Sequence, residues 1–271
     1  MIPLRDNIPS RTTPWINYGI IGLCSFVFFI QLQDQQSGLV ERYGMIPVRV
    51  AHPDRPVELI EPTLVRTPFG PAIQEVKRTV ADSGVAPWQT LLTCVFLHGS
   101  WMHIIGNMWM LWIFGDNVED RMGHWWYLMF YLFCGVAASA AHMLVDTSSA
   151  IPTIGASGAI AGVMGAYMVL YPRAQVLSLF PIFFFIQIVV LPAPVFLGLW
   201  FLLQFFQGTF AVISVQSGGV AWWAHIGGFV TGFAAAWLLK RTDTTTPPVE
   251  ILRPRTDRPT VYRVYVNDRR H

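Results

Sequence analysis

Two residues far apart in the chain, Ser157 and His225, have the types needed for nucleophilic catalysis. Ser157 stands between small residues in Gly155-Ala156-Ser157-Gly158 at the head of an apolar helix, and His225 lies inside another apolar helix. A serine hydroxyl is a weak nucleophile until a positioned base takes its proton, and neutral imidazole is the usual base. Acyl transfer also needs donors for the oxyanion that forms when the hydroxyl attacks a carbonyl. His103 and Asn107, at i and i+4 of a third apolar stretch, share a helix face, and the backbone N–H groups heading the Ser157 helix lack intrahelical partners. No carboxylate lies near His225 in sequence, so a Ser-His dyad fits better than a Ser-His-Asp triad. The plainer reading of His103 and Asn107 is a polar clamp between helices, and His225 has the same alternative.

The elements that must bring these groups together are of hydrocarbon length. With 53% hydrophobic against 13% charged residues, the chain falls well outside the soluble norm of about one quarter charged. Asp146 is the only charge between Arg121 and Arg173, and Ala174 through Leu239 contains no Asp, Glu, Lys or Arg. Such runs imply several membrane spans. The net charge of +2 does not support nucleic acid binding. Cys24, Cys94 and Cys134 lack ligand spacing and read as small buried residues. His98 and His142 have neither an HExxH helix nor a carboxylate set beside them, so they read as interfacial histidines rather than metal ligands. The clusters Trp109-Trp112, Trp125-Trp126-Tyr127 and Trp222-Trp223 read as interfacial and lipid-facing aromatics.

The pattern predicts helices near 15–32, 101–116, 124–145, 157–171, 193–213 and 220–239. Residues 1–14 are a polar N-terminal segment, 33–87 a long polar loop, and 241–271 a polar, flexible, Arg-rich tail. The apolar stretch 15–32 lacks a clear small-residue cleavage site and reads as a retained helix rather than a signal peptide. Residues 175–191 are apolar enough to span, yet Pro181, the β-branched content and the following Pro192 and Pro194 fit a hairpin or interfacial segment at least as well as a helix. If that stretch does not cross, Arg5, Arg11, Arg121, Arg173, Lys240 and Arg241 share one side, which the positive-inside bias makes cytoplasmic. Both termini are then cytoplasmic, and loop 33–87 lies outside. Depth agrees: Ser157 lies sixteen residues from Arg173, His225 fifteen from Lys240 and His103 sixteen from Glu119, each about 22–24 Å from the inner edge.

A Ser157–His225 meeting requires two helices to approach closely, which in lipid calls for small residues. Gly158, Gly162 and Ala166 form one ridge; Gly228, Gly232 and Ala236 form a matching one, with His225 three residues before Gly228. Such ridges are common in membrane helices. These two end at a serine and a histidine. The glycine-rich loop 214–221 reads as a movable cap over a wet cavity.

Over roughly residues 88–240 the chain resembles the rhomboid intramembrane serine proteases. The resemblance rests on His103-x-x-x-Asn107, on Gly115, Glu119 and Gly123 spaced by four, on Gly155-Ala156-Ser157-Gly158, and on Ala224-His225-x-x-Gly228-x-x-x-Gly232. It implies an all-α polytopic membrane protein, with a six-transmembrane-helix bundle over 15–240 and a large outer loop between helices 1 and 2. It further implies Ser157 as nucleophile, His225 as general base and then acid, and His103 with Asn107 on the oxyanion. Gly155, Gly158, Gly162, Gly228 and Gly232 would pack around that site. The implied substrates are single-pass transmembrane proteins, cut near the outer face of a plasma or inner membrane without cofactor or metal. The large 33–87 loop and the long apolar 175–191 stretch depart from the simplest family pattern. The alternatives are a catalytically inactive adaptor or chaperone of the same fold and, less well matched, a small transporter, whose polar groups belong at mid-membrane.

Overall fold

The computed structural model describes residues 1–34, 38–67, 70–182, 185–213 and 221–242. The proposed cap at 214–221, save Ala221, and the tail beyond Thr242 lie outside the described residues. In chain order the elements are β1 (Ile2–Asp6), α1 (Trp15–Gln31), α2 (Gly38–Tyr43), α3 (Pro47–Ala51), the hairpin β2 (Glu58–Thr67) and β3 (Gly70–Thr79), and α4 (Thr90–Thr93). There follow α5 (Trp101–Met122), α6 (His124–Val145), α7 (Ser157–Leu170), β4 (Gln175–Ile182), β5 (Phe185–Pro192), α8 (Ala193–Ile213) and α9 (Trp222–Arg241). The long helices closely overlap the ranges expected from apolar segment length, although α5 runs six residues past the expected end at 116. By length and composition α6 and residues Ala193–Phe210 of α8 are suited to cross a membrane; α1 and α7 are shorter apolar helices.

The molecule is mostly helical but not all-α, because two small sheets correct that expectation. One is the β2–β3 hairpin inside the supposed loop 33–87, turning at Gly70, whose φ of 116° is open to glycine at no steric cost. The other joins β1, β4 and β5. Residues 175–191 thus form the hairpin alternative: alternating β-branched residues suit a pleated ladder, and a proline cannot continue a helix. The polar start of the chain contributes a third strand, Ile2 pairing with Leu179 and Asp6 with Val176. Ala193 N–H donates to the Ala174 carbonyl at 2.8 Å, so the chain leaves the hairpin at the end of the bundle where it entered. α7 and α9 therefore run parallel, with Ser157 and His225 both near their heads.

α7 is the centre of the fold. All its residues from Gly158 to Leu170 except Met168 are buried, as befits a helix that is apolar on every side. It packs most extensively on α9, then on α6 and α5. A Cβ at Gly228 would collide with the Gly158 carbonyl, and one at Gly232 with the Gly162 carbonyl, so the two small ridges meet residue against residue. Gly162 also faces the Cys134 side chain of α6, and Gly158 faces Ala138. The outer surface has the opposite character, with Trp15, Phe26, Phe133, Trp125, Trp126, Phe206 and Phe210 well exposed. Tyr127, grouped by sequence with the two tryptophans, is instead fully buried and donates to Asn17 Oδ1 at 2.8 Å.

At the opposite end of the bundle from Ser157, α5 organises the N-terminal segment. Glu119 is fully buried and accepts from the backbone N–H groups of Ile16 (3.1 Å) and Asn17 (2.8 Å), capping α1 where its own sequence supplies no side-chain cap. Gly115 makes room for Asn17, since a Cβ there would overlap its side-chain amide. Ser10 donates to Asp116, Arg11 pairs with Asp120 at 2.9 Å, and Asn117 and Tyr167 both donate to Asp6. Lys240 Nζ donates to the Val169 carbonyl near the C-terminal end of α7, as the helix dipole favours.

Candidate active site

The site is built where α5, α7 and α9 begin. α7 starts at Ser157 because the preceding segment is held in a sharp turn: Gly155 has φ 124°, and its N–H donates to the Cys94 carbonyl at 2.9 Å. Thr153 just before it exchanges two backbone hydrogen bonds with Met45, tying the region around α2 and α3 to the serine's approach. On α9, His225 is buried at 9% exposure, whereas Ser157 is only half-buried. The Ser157 Oγ lies 2.7 Å from His225 Nε2. This is the spacing of a hydroxyl donating to a neutral ring nitrogen, and it joins two residues 68 positions apart.

His103 and Asn107 come to the same place. A Cβ at Gly155 would lie 2.6 Å from His103 Nε2 and 3.7 Å from Asn107 Nδ2, so both side chains line the turn two residues before the serine. Only glycine leaves room for His103 there. Asn107 is buried, and its Nδ2 has no hydrogen-bond partner among the described residues. An unpaired buried amide donor costs about 1–3 kcal/mol, which a fold retains readily where the donor serves a visiting acceptor. Ser100 caps α5 by accepting from the His103 N–H, orienting the turn that carries both residues.

Three further side chains complete the surroundings of the base. Gln204 of α8 places Oε1 2.6 Å from His225 Nδ1, a partner the sequence reading did not name. Its signal was a buried amide on the inward stripe Ala193, Phe196, Leu197, Gln204, Gly208, while Leu203, Phe205 and Phe206 beside it face outward. The Trp200 and Trp222 rings lie 5.9 and 6.1 Å from the imidazole. Trp222 thus touches the base rather than facing lipid, and Trp223 packs on Phe205.

His98, expected at the interface, is instead 1% exposed, and Gln31 at the end of α1 bonds both its N–H and its carbonyl. Burial first, and then neighbouring His103, push its imidazole down to about 4, so it is neutral at pH 7. Its ring stands edge-on to His103 at 5.1 Å. The three cysteines are free and buried. Among the described residues no group of three His, Cys, Asp or Glu could hold a metal ion.

The sequence profile of the Rhomboid domain matches residues 86–242, more than half of the chain and every site residue named above. The chain belongs to the rhomboid family. It is 34% identical over 151 residues to rhomboid protease GluP of Bacillus subtilis, covering 55% of this chain and 25% of that one. It is 26% identical over 157 residues to rhomboid protein 1, mitochondrial, of Saccharomyces cerevisiae, covering 56% and 42%. It is 39% identical over 75 residues to rhomboid-like protein 11, chloroplastic, of Arabidopsis thaliana, covering 28% and 26%. The matches span between a quarter and under half of these relatives' lengths. Rhomboid proteins are integral membrane proteins, and the outward-facing aromatic surface described above is of that kind.

Proposed function

We propose that this rhomboid is an intramembrane serine endopeptidase that hydrolyses peptide bonds of single-pass transmembrane proteins near the outer membrane face. The observation that carries the reading is the 2.7 Å Ser157–His225 hydrogen bond beside an Asn107 amide donor with no partner among the described residues. Ser157 Oγ gives its proton to His225 Nε2 as it attacks the scissile carbonyl carbon. The oxyanion takes hydrogen bonds from Asn107 Nδ2, from His103 and from backbone N–H groups at the head of α7, whose dipole also favours negative charge. The imidazolium returns its proton to the leaving amine. Water, deprotonated by the same nitrogen, then hydrolyses the acyl-enzyme and regenerates the serine. No cofactor enters this cycle.

In this reading α1, α5, α6, α7, α8 and α9 cross the bilayer, both termini face the cytoplasm, and β2–β3 lies outside. The return of the β4–β5 hairpin to its own starting side supports that topology, because it puts Arg121, Arg173, Lys240 and Arg241 at one end. α7, with 14 residues, is about 21 Å long, so Ser157 sits below the outer surface of a roughly 30 Å hydrocarbon layer. A substrate helix hides its carbonyls in its own hydrogen bonds and must unwind before attack, so residues that weaken helices near the cut, worth ~1 kcal/mol per glycine, favour cleavage. The test is purified protein in detergent with a model single-pass substrate, wild type beside Ser157→Ala. Cleavage by wild type alone supports the reading; a wild type as inert as Ser157→Ala favours the inactive adaptor.

A further inference from the structure

We propose that Gln204 is a positioning residue for the base: it fixes the His225 tautomer and ring orientation, making a Ser157–His225–Gln204 relay with a neutral third member. The inference rests on the protease reading for its catalytic consequence, but its structural content stands on the α8–α9 contact alone.

A neutral imidazole carries one proton on one of two nitrogens. To act on Ser157, Nε2 must be the bare one, so Nδ1 must carry the proton and, on a buried ring, needs an acceptor from the protein. Gln204 Oε1, 2.6 Å away, is such an acceptor. The opposite tautomer would turn Nε2–H toward the serine oxygen and leave the hydroxyl without a base. Gln204 is 8% exposed, whereas Gln207 on the same helix faces outward, and a buried amide is costly unless bonded. Histidine and glutamine thus solve one another's desolvation, and the amide does so without placing a charge in the membrane, where a carboxylate would be expensive.

The surroundings hold the pair in register. Trp200, one turn before Gln204, lays its ring 5.9 Å from the imidazole, so α8 meets the base at both its face and its Nδ1 edge. One turn after Gln204, a Cβ at Gly208 would lie 3.0 Å from Trp222 Cβ, so α8 and α9 approach closely along this stretch. α8 therefore bears on catalysis through its contacts with the base.

The experiment uses full-length protein labelled with ¹⁵N-histidine, the His225 resonances being those lost in His225→Gln, together with kcat and KM on the model substrate. Gln204→Met keeps the side chain's length and removes the acceptor; Gln204→Glu keeps an acceptor. The expected results are an Nδ1-protonated His225 in wild type, loss of that single tautomer in Gln204→Met, a roughly ten- to hundred-fold lower kcat with KM within two-fold, and recovery of both by Gln204→Glu. If Gln204→Met does not fold, Gln204→Leu, which likewise has no acceptor, gives the same readout. An Nε2-protonated wild type, or a folded Gln204→Met with wild-type tautomer and kcat, overturns the proposal. A wild type that holds the Gln204-dependent tautomer but cleaves nothing supports the relay and refutes the protease reading instead.

Discussion

Adding one methyl group at Gly228 tests whether the ridge contact sets the catalytic distance. An ideal Cβ there would lie 2.9 Å from the Gly158 carbonyl carbon and 3.4 Å from Ala138 Cβ, with the Gly158 oxygen closer still. Carbon atoms in contact rest about 3.5–4.0 Å apart, so α9 must withdraw from α7 by about 1 Å. Gly158 adjoins Ser157, and His225 stands three residues before Gly228, so the same displacement carries the 2.7 Å hydrogen bond to about 3.7 Å, beyond bonding range. Overpacking of this kind costs about 1–3 kcal/mol, and a 1 Å misplacement of reacting groups costs on the order of a hundred-fold in rate. Gly228→Ala is therefore expected to fold, to melt lower, and to lose about two orders of magnitude in kcat. Gly106→Ala is the control, because nothing among the described residues lies within 4 Å of a Cβ there, and alanine favours a helix. The assay is substrate cleavage alongside thermal unfolding in one detergent. Wild-type turnover in Gly228→Ala would refute the claim that the glycine ridges set the Ser157–His225 distance.

Other perturbations separate stability from chemistry. Asn107→Ala removes a donor that has no partner among the described residues, so it should leave the melting temperature at or above wild type while lowering kcat about 10²–10³-fold. Glu119→Gln exchanges one capping acceptor on α1 for a donor; it should cost about 1–2 kcal/mol in unfolding measurements, with activity per folded molecule unchanged because the site is about 24 Å away. Burial raises the Asp6 carboxyl from 3.8 to about 7, with Asp116 adding to the rise and the Tyr167 hydrogen bond opposing it. The folded state then holds a proton that the unfolded chain releases, so this group's contribution to stability declines as pH rises from about 4 to 7. Thermal melts across that window should show the decline in wild type relative to Asp6→Asn; parallel curves would contradict it.

What could be read from the sequence followed from how forcefully each feature constrains the chain. Long uncharged stretches free of internal proline leave a helix as the economical way to satisfy the backbone, and α6 and α8 match the ranges expected for them, whereas 175–191, with Pro181, folds as a hairpin. The serine and histidine could be paired because the glycine ridges give a register, and a register fixes which residues meet. β1 was hidden: five mixed residues form a strand only because a hairpin more than 160 positions later offers an edge. The β2–β3 hairpin was obscured by its even mix of charged and apolar residues. His98 read as interfacial for want of a metal-ligand pattern around it, whereas its place in the interior, with its backbone bonded to Gln31 of another helix, is a long-range property. Gln204 was overlooked for a related reason: an amide in an apolar helix has meaning only once its inward-facing stripe is recognised.

The most direct measurement of the central claim is mass spectrometry of the protein after exposure to a serine-reactive fluorophosphonate. Reaction requires a hydroxyl activated by a base within hydrogen-bond reach, which is what the 2.7 Å Ser157–His225 contact provides. A single adduct on the peptide containing Ser157, absent in His225→Ala, is the predicted result. No adduct on folded wild type, or equal labelling with and without His225, would contradict the account.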